Sequence, residues 1–163
     1  MASYQFKNYK QLELYMDKKM KQTLDRCAFD TMEELKASVE DHMYSWSPKK
    51  YKRTKMFLES ISKTKAEKDG GTYVCRVYFD ADKIEAVIRM PNEWNAHASF
   101  SGEPVAEGII YWMEYGNASE DGTPNPYYEH EGYGFIRDTR EWLQYELDNL
   151  FKKNAKRLGV PIK

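Results

Sequence analysis

Three histidines, two cysteines and scattered carboxylates are the residues of this chain that could do chemistry. His42, His97 and His130 stand far apart. Glu129-His130-Glu131 could touch a metal ion, but adjacent side chains in a loop seldom converge on one ion, and no second His or Cys cluster adds ligands. No Gly-x-Ser-x-Gly elbow marks a hydrolase serine. Cys27 lies on an apolar helical stripe, a poor setting for a thiolate nucleophile. Gly70-Gly71 stands alone, without the Lys-Ser/Thr of a phosphate-binding loop, and reads as a flexible entry to a strand. These residues point to no catalytic site, no metal and no cofactor. A small hydrolase or toxin would need a nucleophile–base pair that the spacing does not supply.

The remaining candidates are charged surfaces. Residues 47–68 carry Lys49, Lys50, Lys52, Arg53, Lys55, Lys63, Lys65 and Lys68 against Glu59 and Glu67, eight minus two or +6. Tyr51 and Phe57 are interleaved with them, as stacking platforms for nucleic acid would be. Residues 117–134 reverse the sign: Glu120, Asp121, Glu129 and Glu131 give -4 with no Lys or Arg, among Tyr127, Tyr128 and Tyr133. Opposite patches on one subunit favour head-to-tail contacts, which close into rings. A protein interface is the leading reading, ahead of a nucleic-acid surface and of a plain solvated face.

The elements that must position these segments follow from periodicity. Met16, Met20, Leu24, Cys27, Thr31, Leu35, Val39 and Met43 recur in steps of three and four, so a long helix is expected over 8–46. Asn8 with Gln11 resembles a capping box at its start, and Ser47-Pro48 stops it. A basic loop is expected over 47–70, with a short helical turn at 56–61. Alternation from Tyr73 to Phe79 and from Ile84 to Met90, around a turn at Asp80-Lys83, predicts an antiparallel β-hairpin over 71–90. Residues 91–104 read as loop. A short helix over 105–116 ends at Gly116, and an acidic Tyr-rich loop covers 117–134. A C-terminal helix over 135–158 ends before Gly159 and Pro161.

The composition fits one domain, 1–163. The chain has 163 residues, 41% hydrophobic and 31% charged, enough apolar material for a core. Mean hydropathy is low at -0.83, but 15% aromatic residues argue against disorder. Thirteen tyrosines and four tryptophans suit partly wet contact surfaces. A net charge of -1 excludes bulk attraction to nucleic acid or an anionic membrane. No apolar run reaches membrane-spanning length, and the first seven residues lack the apolar stretch of a secretory signal. Cys27 and Cys75 are too few for a disulfide framework and read as reduced core residues of a cytosolic protein.

The order of features resembles the neck and minor tail-component proteins of long-tailed bacteriophages. That family shows a pattern like Arg-Thr-Gly-x-Leu-x-x-Ser-Ile after a first helix, then a Tyr-Ala-x-x-Val-Glu-Phe/Tyr-Gly-Thr pattern and a Pro-Phe-bearing loop. Here Arg53-Thr54, Ser60-Ile61 and Glu114-Tyr115-Gly116 match, and the likeness runs over roughly 10–155. Lys55 stands where the family usually has Gly, and Asn117 where it has Thr. The resemblance implies an α+β domain, with a long N-terminal helix packed on a small antiparallel β-sheet, a short middle helix and a C-terminal helix. It implies a non-enzymatic virion structural protein, assembled in the host bacterial cytoplasm into a ring of six. Its partners would be further copies and other neck or tail proteins, with DNA passing through the ring and no membrane. The expected interface residues are Lys49, Lys50, Lys52, Arg53, Lys55, Glu114, Tyr115, Glu120, Asp121, Tyr127, Tyr128 and Glu129. The alternative is a nucleic-acid-binding module using residues 47–68.

Overall fold

Helix α1 (Tyr9–Val39) begins where the sequence places it. The Asn8 side chain accepts the Gln11 amide at 3.0 Å, and the Gln11 side chain returns to the Lys7 amide at 3.0 Å, so two amides at the helix start are satisfied. The structure, a computed structural model, describes residues 5–45, 55–88, 106–116, 132–160 and 162. Helix α1 runs about 46 Å without interruption. It passes into a π-helical turn, Glu40–Tyr44. Thr23, Cys27, Ala28, Thr31, Leu35 and Val39 form its buried stripe. The Thr23 and Thr31 hydroxyls donate to the carbonyls of Lys19 and Cys27, so burying them leaves no hydroxyl proton unmatched.

Helix α5 (Phe135–Arg157) packs antiparallel along α1. Three polar rungs set the register. His42 Nε2 meets Asp138 Oδ2 at 3.1 Å, Asn154 donates to Asp30 at 3.0 Å, and Lys19 Nζ donates to the Leu158 carbonyl at 2.7 Å. The C-terminus of α5 closes as expected from Gly159. Gly159 takes φ 73°, its amide donates to the Lys156 carbonyl, and the Val160 amide donates to the Ala155 carbonyl.

Between the long helices in sequence come α2 (Met56–Ser60), β1 (Ile61–Lys63), β2 (Glu67–Asp69), β3 (Thr72–Val74), β4 (Val77–Phe79), α3 (Ala81–Ile88) and α4 (Ala106–Tyr115). Strand β1 pairs with β4 and β2 with β3, both antiparallel. The paired positions shift by one residue between the two ladders, from Lys63↔Val77 to Glu67↔Val74. Residues 61–79 are thus one hairpin with a bulge on its first arm, turning at Gly70-Gly71, where Gly70 takes φ 59°. The bulge leaves the Ala66 amide out of the ladder. Asp25 of α1 accepts it at 2.9 Å and also lies 3.4 Å from Lys63 Nζ.

The expected hairpin over 71–90 is therefore corrected. Its first arm is β3–β4, but its partner arm lies upstream, within the expected basic loop 47–70. Residues 81–88 are helix instead. Ile84 and Ile88 are spaced for a helix as well as for a strand, and so short a run does not separate the two periods. The arm 61–69 carries no strand period: Ile61 and Ala66 are its only apolar residues, and all three positions of β2 are exposed, so its charges read as loop. The α+β class, the small antiparallel sheet on α1, the short turn at 56–60 and the middle helix stand as read. The expected loop at 91–104 lies outside the described residues.

The core gathers where these elements meet: Leu35, Val39, Met43, Phe57, Ile61, Ile84, Ile109 and Phe135. Phe79 meets Phe57 edge-on and Phe135 at a tilt, with ring centroids 5.9 and 5.5 Å away.

Candidate functional site

The N-terminus of α5 has no cap of its own. Gly134 precedes it with φ 67° and offers no side chain. Glu114, in the last turn of α4, supplies the missing acceptor. Its Oε2 accepts the Ile136 amide at 2.8 Å and its Oε1 the Arg137 amide at 2.9 Å. The carboxylate is buried, 4% exposed, and sits at the positive end of the α5 dipole. Backbone bonds complete the clasp: the Tyr133 amide donates to the Met113 carbonyl at 2.8 Å, and the Gly134 amide to the Glu114 carbonyl at 3.1 Å. Gly116 takes φ 91°. A Cβ on Gly132 would stand 2.3 Å from the Glu114 carbonyl oxygen, so only glycine fits. Gly132 is thus held against the end of α4, beside Gly116.

The base of the basic segment lies at the same end of the helix pair. The π-turn carries His42, which Asp138 of α5 holds. Arg137 also reaches Asp138, at 3.1 Å. Lys55 comes within 3.6 Å of Glu40, so the chain re-enters beside the turn it left. Ser45, Lys55, Gly116 and Gly132, the anchors of the two oppositely charged segments, are thus gathered at one end of the molecule.

Of the expected interface residues, Lys49, Lys50, Lys52, Arg53, Glu120, Asp121, Tyr127, Tyr128 and Glu129 lie outside the described residues, as do His97 and His130. Lys55 is exposed. Glu114 is no surface residue, since both its oxygens serve α5. Tyr115 is 68% exposed and packs at a tilt against Tyr111, itself 60% exposed, with centroids 4.8 Å apart. Among the described residues no group of three His, Cys, Asp or Glu side chains is placed to hold a metal ion, and no helix is long and apolar enough to cross a membrane.

A family model described as YomN matches residues 8–157, from the cap of α1 to the last residue of α5. The chain belongs to the YomN family. That family is phage-derived, and the chain is a phage-associated protein. No curated protein and no solved structure matches the chain.

Two features of this YomN-family chain were not singled out from sequence. Tyr111 was missed although Tyr111 and Tyr115 are four apart, the spacing that packs two rings on one helix face. The other is an open apolar groove of about 430 Å³, with α1 as floor and β3–β4 and α5 as walls. Leu24, Tyr73, Val77, Leu143 and Leu147 are among its lining. Both cysteines also line it, and both are free. Burial pushes the Cys27 thiol above the usual range, against the opposing hydrogen bond from Asn154, so it stays protonated.

Proposed function

We propose that this chain is a structural subunit of the phage neck, a ring-forming component that acts in tail completion or head–tail joining and has no enzymatic activity. Membership of a phage-derived family supports the setting. The observation that carries the reading is the convergence of segment anchors. A stiff antiparallel helix pair presents, at one end, the bases of a basic and an acidic segment beside the exposed Tyr111–Tyr115 step. Subunits built this way can interlock: each basic segment meets a neighbour's acidic one, and tyrosines supply contact area at low entropy cost. Lys55 faces Glu40 and Lys63 faces Asp25, so part of that charge is already matched within the subunit.

The test is genetic and compositional. Particles purified from a producing strain should contain the chain in a fixed ratio to the neck, and deletion should leave full heads and tails unjoined. Intact, infectious particles from the deletion strain would sink the reading.

A further inference from the structure

The net charge of -1 conceals a division along the helix pair. At one end, where α1 begins and α5 finishes, residues 5–22 carry Lys7, Lys10, Lys18, Lys19 and Lys21 against Glu13 and Asp17, five minus two or +3. Residues 150–157 add Lys152, Lys153, Lys156 and Arg157 with no acid, so +3 and +4 make +7. The two stretches adjoin: Lys19 Nζ holds the Leu158 carbonyl at 2.7 Å, and Lys153 lies 3.7 Å from Asp30. Beyond them the sign reverses. Residues 23–45 hold six acids against Arg26 and Lys36, or -4, and residues 135–149 hold four acids against Arg137 and Arg140, or -2.

Six of the cations at this end, Lys7, Lys10, Lys18, Lys152, Lys156 and Arg157, are exposed and form no ion pair among the described residues. Asp17 is already taken by Lys21 and by the Tyr73 hydroxyl, each at 2.9 Å, which leaves Glu13 as the unmatched acid there among the described residues. Lys156 and Arg157 have a local reason, the negative end of the α5 dipole. Lys7 and Lys10 do not. A helix start favours anions, yet the first turn of α1 has Lys10 and no acid, and Lys7 directly precedes the cap. Cations placed against local preference, with no partner inside the subunit, mark a contact outside it.

Their layout indicates the chemistry of that partner. The cations are exposed and spread out, Lys10 to Lys18 alone over about 12 Å of helix, which suits an extended polyanion better than a small anion. Lys10, Leu14 and Lys18 are four apart and share one stripe, opposite Leu12 and Met16, and Leu14 is 62% exposed. A helix lying in a membrane surface separates its charged and apolar faces, and this one does not. Exposed Phe6 and Tyr9 alternate in sequence with Lys7 and Lys10, the interleaving of aromatic and basic groups that suits nucleic acid. Duplex DNA is the extended polyanion that a phage-associated protein meets.

We propose that the start of α1 and the finish of α5 together form a contact surface for the DNA backbone, with Lys7, Lys10, Lys18, Lys152, Lys156 and Arg157 neutralising phosphates without reading sequence. The surface lies at the opposite end of α1 from Ser45 and Lys55, so it is separate from the basic segment 47–68. It does not depend on the neck role, which particle composition tests on its own.

Full-length proteins titrated against a fluorescent mixed-sequence duplex of about 20 base pairs, from about 50 mM salt upward, test it. The unaltered chain is compared with three triple variants: Lys7→Gln with Lys10→Gln and Lys18→Gln; Lys152→Gln with Lys156→Gln and Arg157→Gln; and Lys49→Gln with Lys50→Gln and Lys52→Gln. Far-ultraviolet circular dichroism and urea midpoints confirm that each is folded. The logarithm of the unaltered chain's affinity should fall against the logarithm of salt with a slope of about -5. Each of the first two variants should bind about tenfold or more weaker at the lowest salt and flatten the slope by about 2 to 3, while the third keeps the unaltered slope. No binding at about 50 mM salt, an unchanged slope in either of the first two variants, or a loss confined to the third would overturn the proposal. So would tighter binding to phosphatidylserine vesicles than to the duplex, lost in the same two variants, which would reassign the surface to a membrane.

Discussion

Glu114 caps a helix to which it does not belong. From the last turn of α4 its carboxylate accepts the amides of Ile136 and Arg137 at 2.8 and 2.9 Å, replacing the cap that Gly134 cannot provide. Removing it leaves two buried amides without acceptors. Glu114→Ala should lower stability by about 2 kcal/mol, and Glu114→Gln, which keeps one oxygen in place, by about 1 kcal/mol. Urea midpoints measured at constant m check this. Equal midpoints for all three proteins would show that the cap contributes nothing.

Gly132 guards the same clasp. Its Cβ would lie 2.3 Å from one backbone atom and 2.4 Å from another, neither of which can rotate away. Gly132→Ala should cost about 2 kcal/mol through displaced backbone, whereas Gly71→Ala, with nothing within 4 Å of its Cβ, should cost far less. The clasp variant should also be cut faster between residues 117 and 131 under limited proteolysis. Identical digestion of the two variants would refute the clasp.

Asp25 ties the hairpin to α1 through the bulge. Asp25→Ala strands the Ala66 amide and frees Lys63, at a cost of about 1–3 kcal/mol. Amide exchange should rise most at Ala66. A uniform rise across the chain would instead report global destabilisation with no special role for the bulge.

Tyr73 and Asp17 shift each other's titration in opposite senses. Hydrogen bonds from Lys21 and then Tyr73 hold the Asp17 carboxyl below its ordinary range, while the bond to Asp17 pushes the Tyr73 hydroxyl above its own. A carboxyl with a depressed folded-state pKa stabilises above its unfolded value, and that contribution is lost as pH falls through the folded value. A phenol with a raised folded-state pKa stabilises below its unfolded value, and that contribution is lost as pH rises through the folded value. Tyr73→Phe should therefore raise the Asp17 pKa toward the ordinary range, read from its carboxyl carbon by NMR titration. No upward shift would mean that Lys21 alone sets it.

The sequence by itself determined the elements whose signals are local. Asn8 with Gln11 marked the start of α1, and the three-four stripe from Thr31 to Met43 its buried face. Gly159 marked the end of α5, and Gly116 the end of α4. Each signal lies within one or two turns of what it specifies, and caps and periods act at that range. Only the tertiary structure decided which arm the strand at 72–79 would pair with. Ile84 and Ile88 suit a helix or a strand equally, and the choice fell to helix once β1 had taken β4 as partner and Ile84 could enter the core. It also decided the work of Glu114. In sequence, Glu114 belongs with Tyr115 to an interface motif. In the fold it faces an uncapped helix end more than twenty residues away along the chain, a burial that no local pattern encodes. The charged segments show the same division. Their opposite signs are composition and can be counted, but that their bases meet at one end depends on the antiparallel register of α1 and α5. The rungs at Asp30–Asn154 and His42–Asp138 set that register, and they join residues about a hundred or more positions apart.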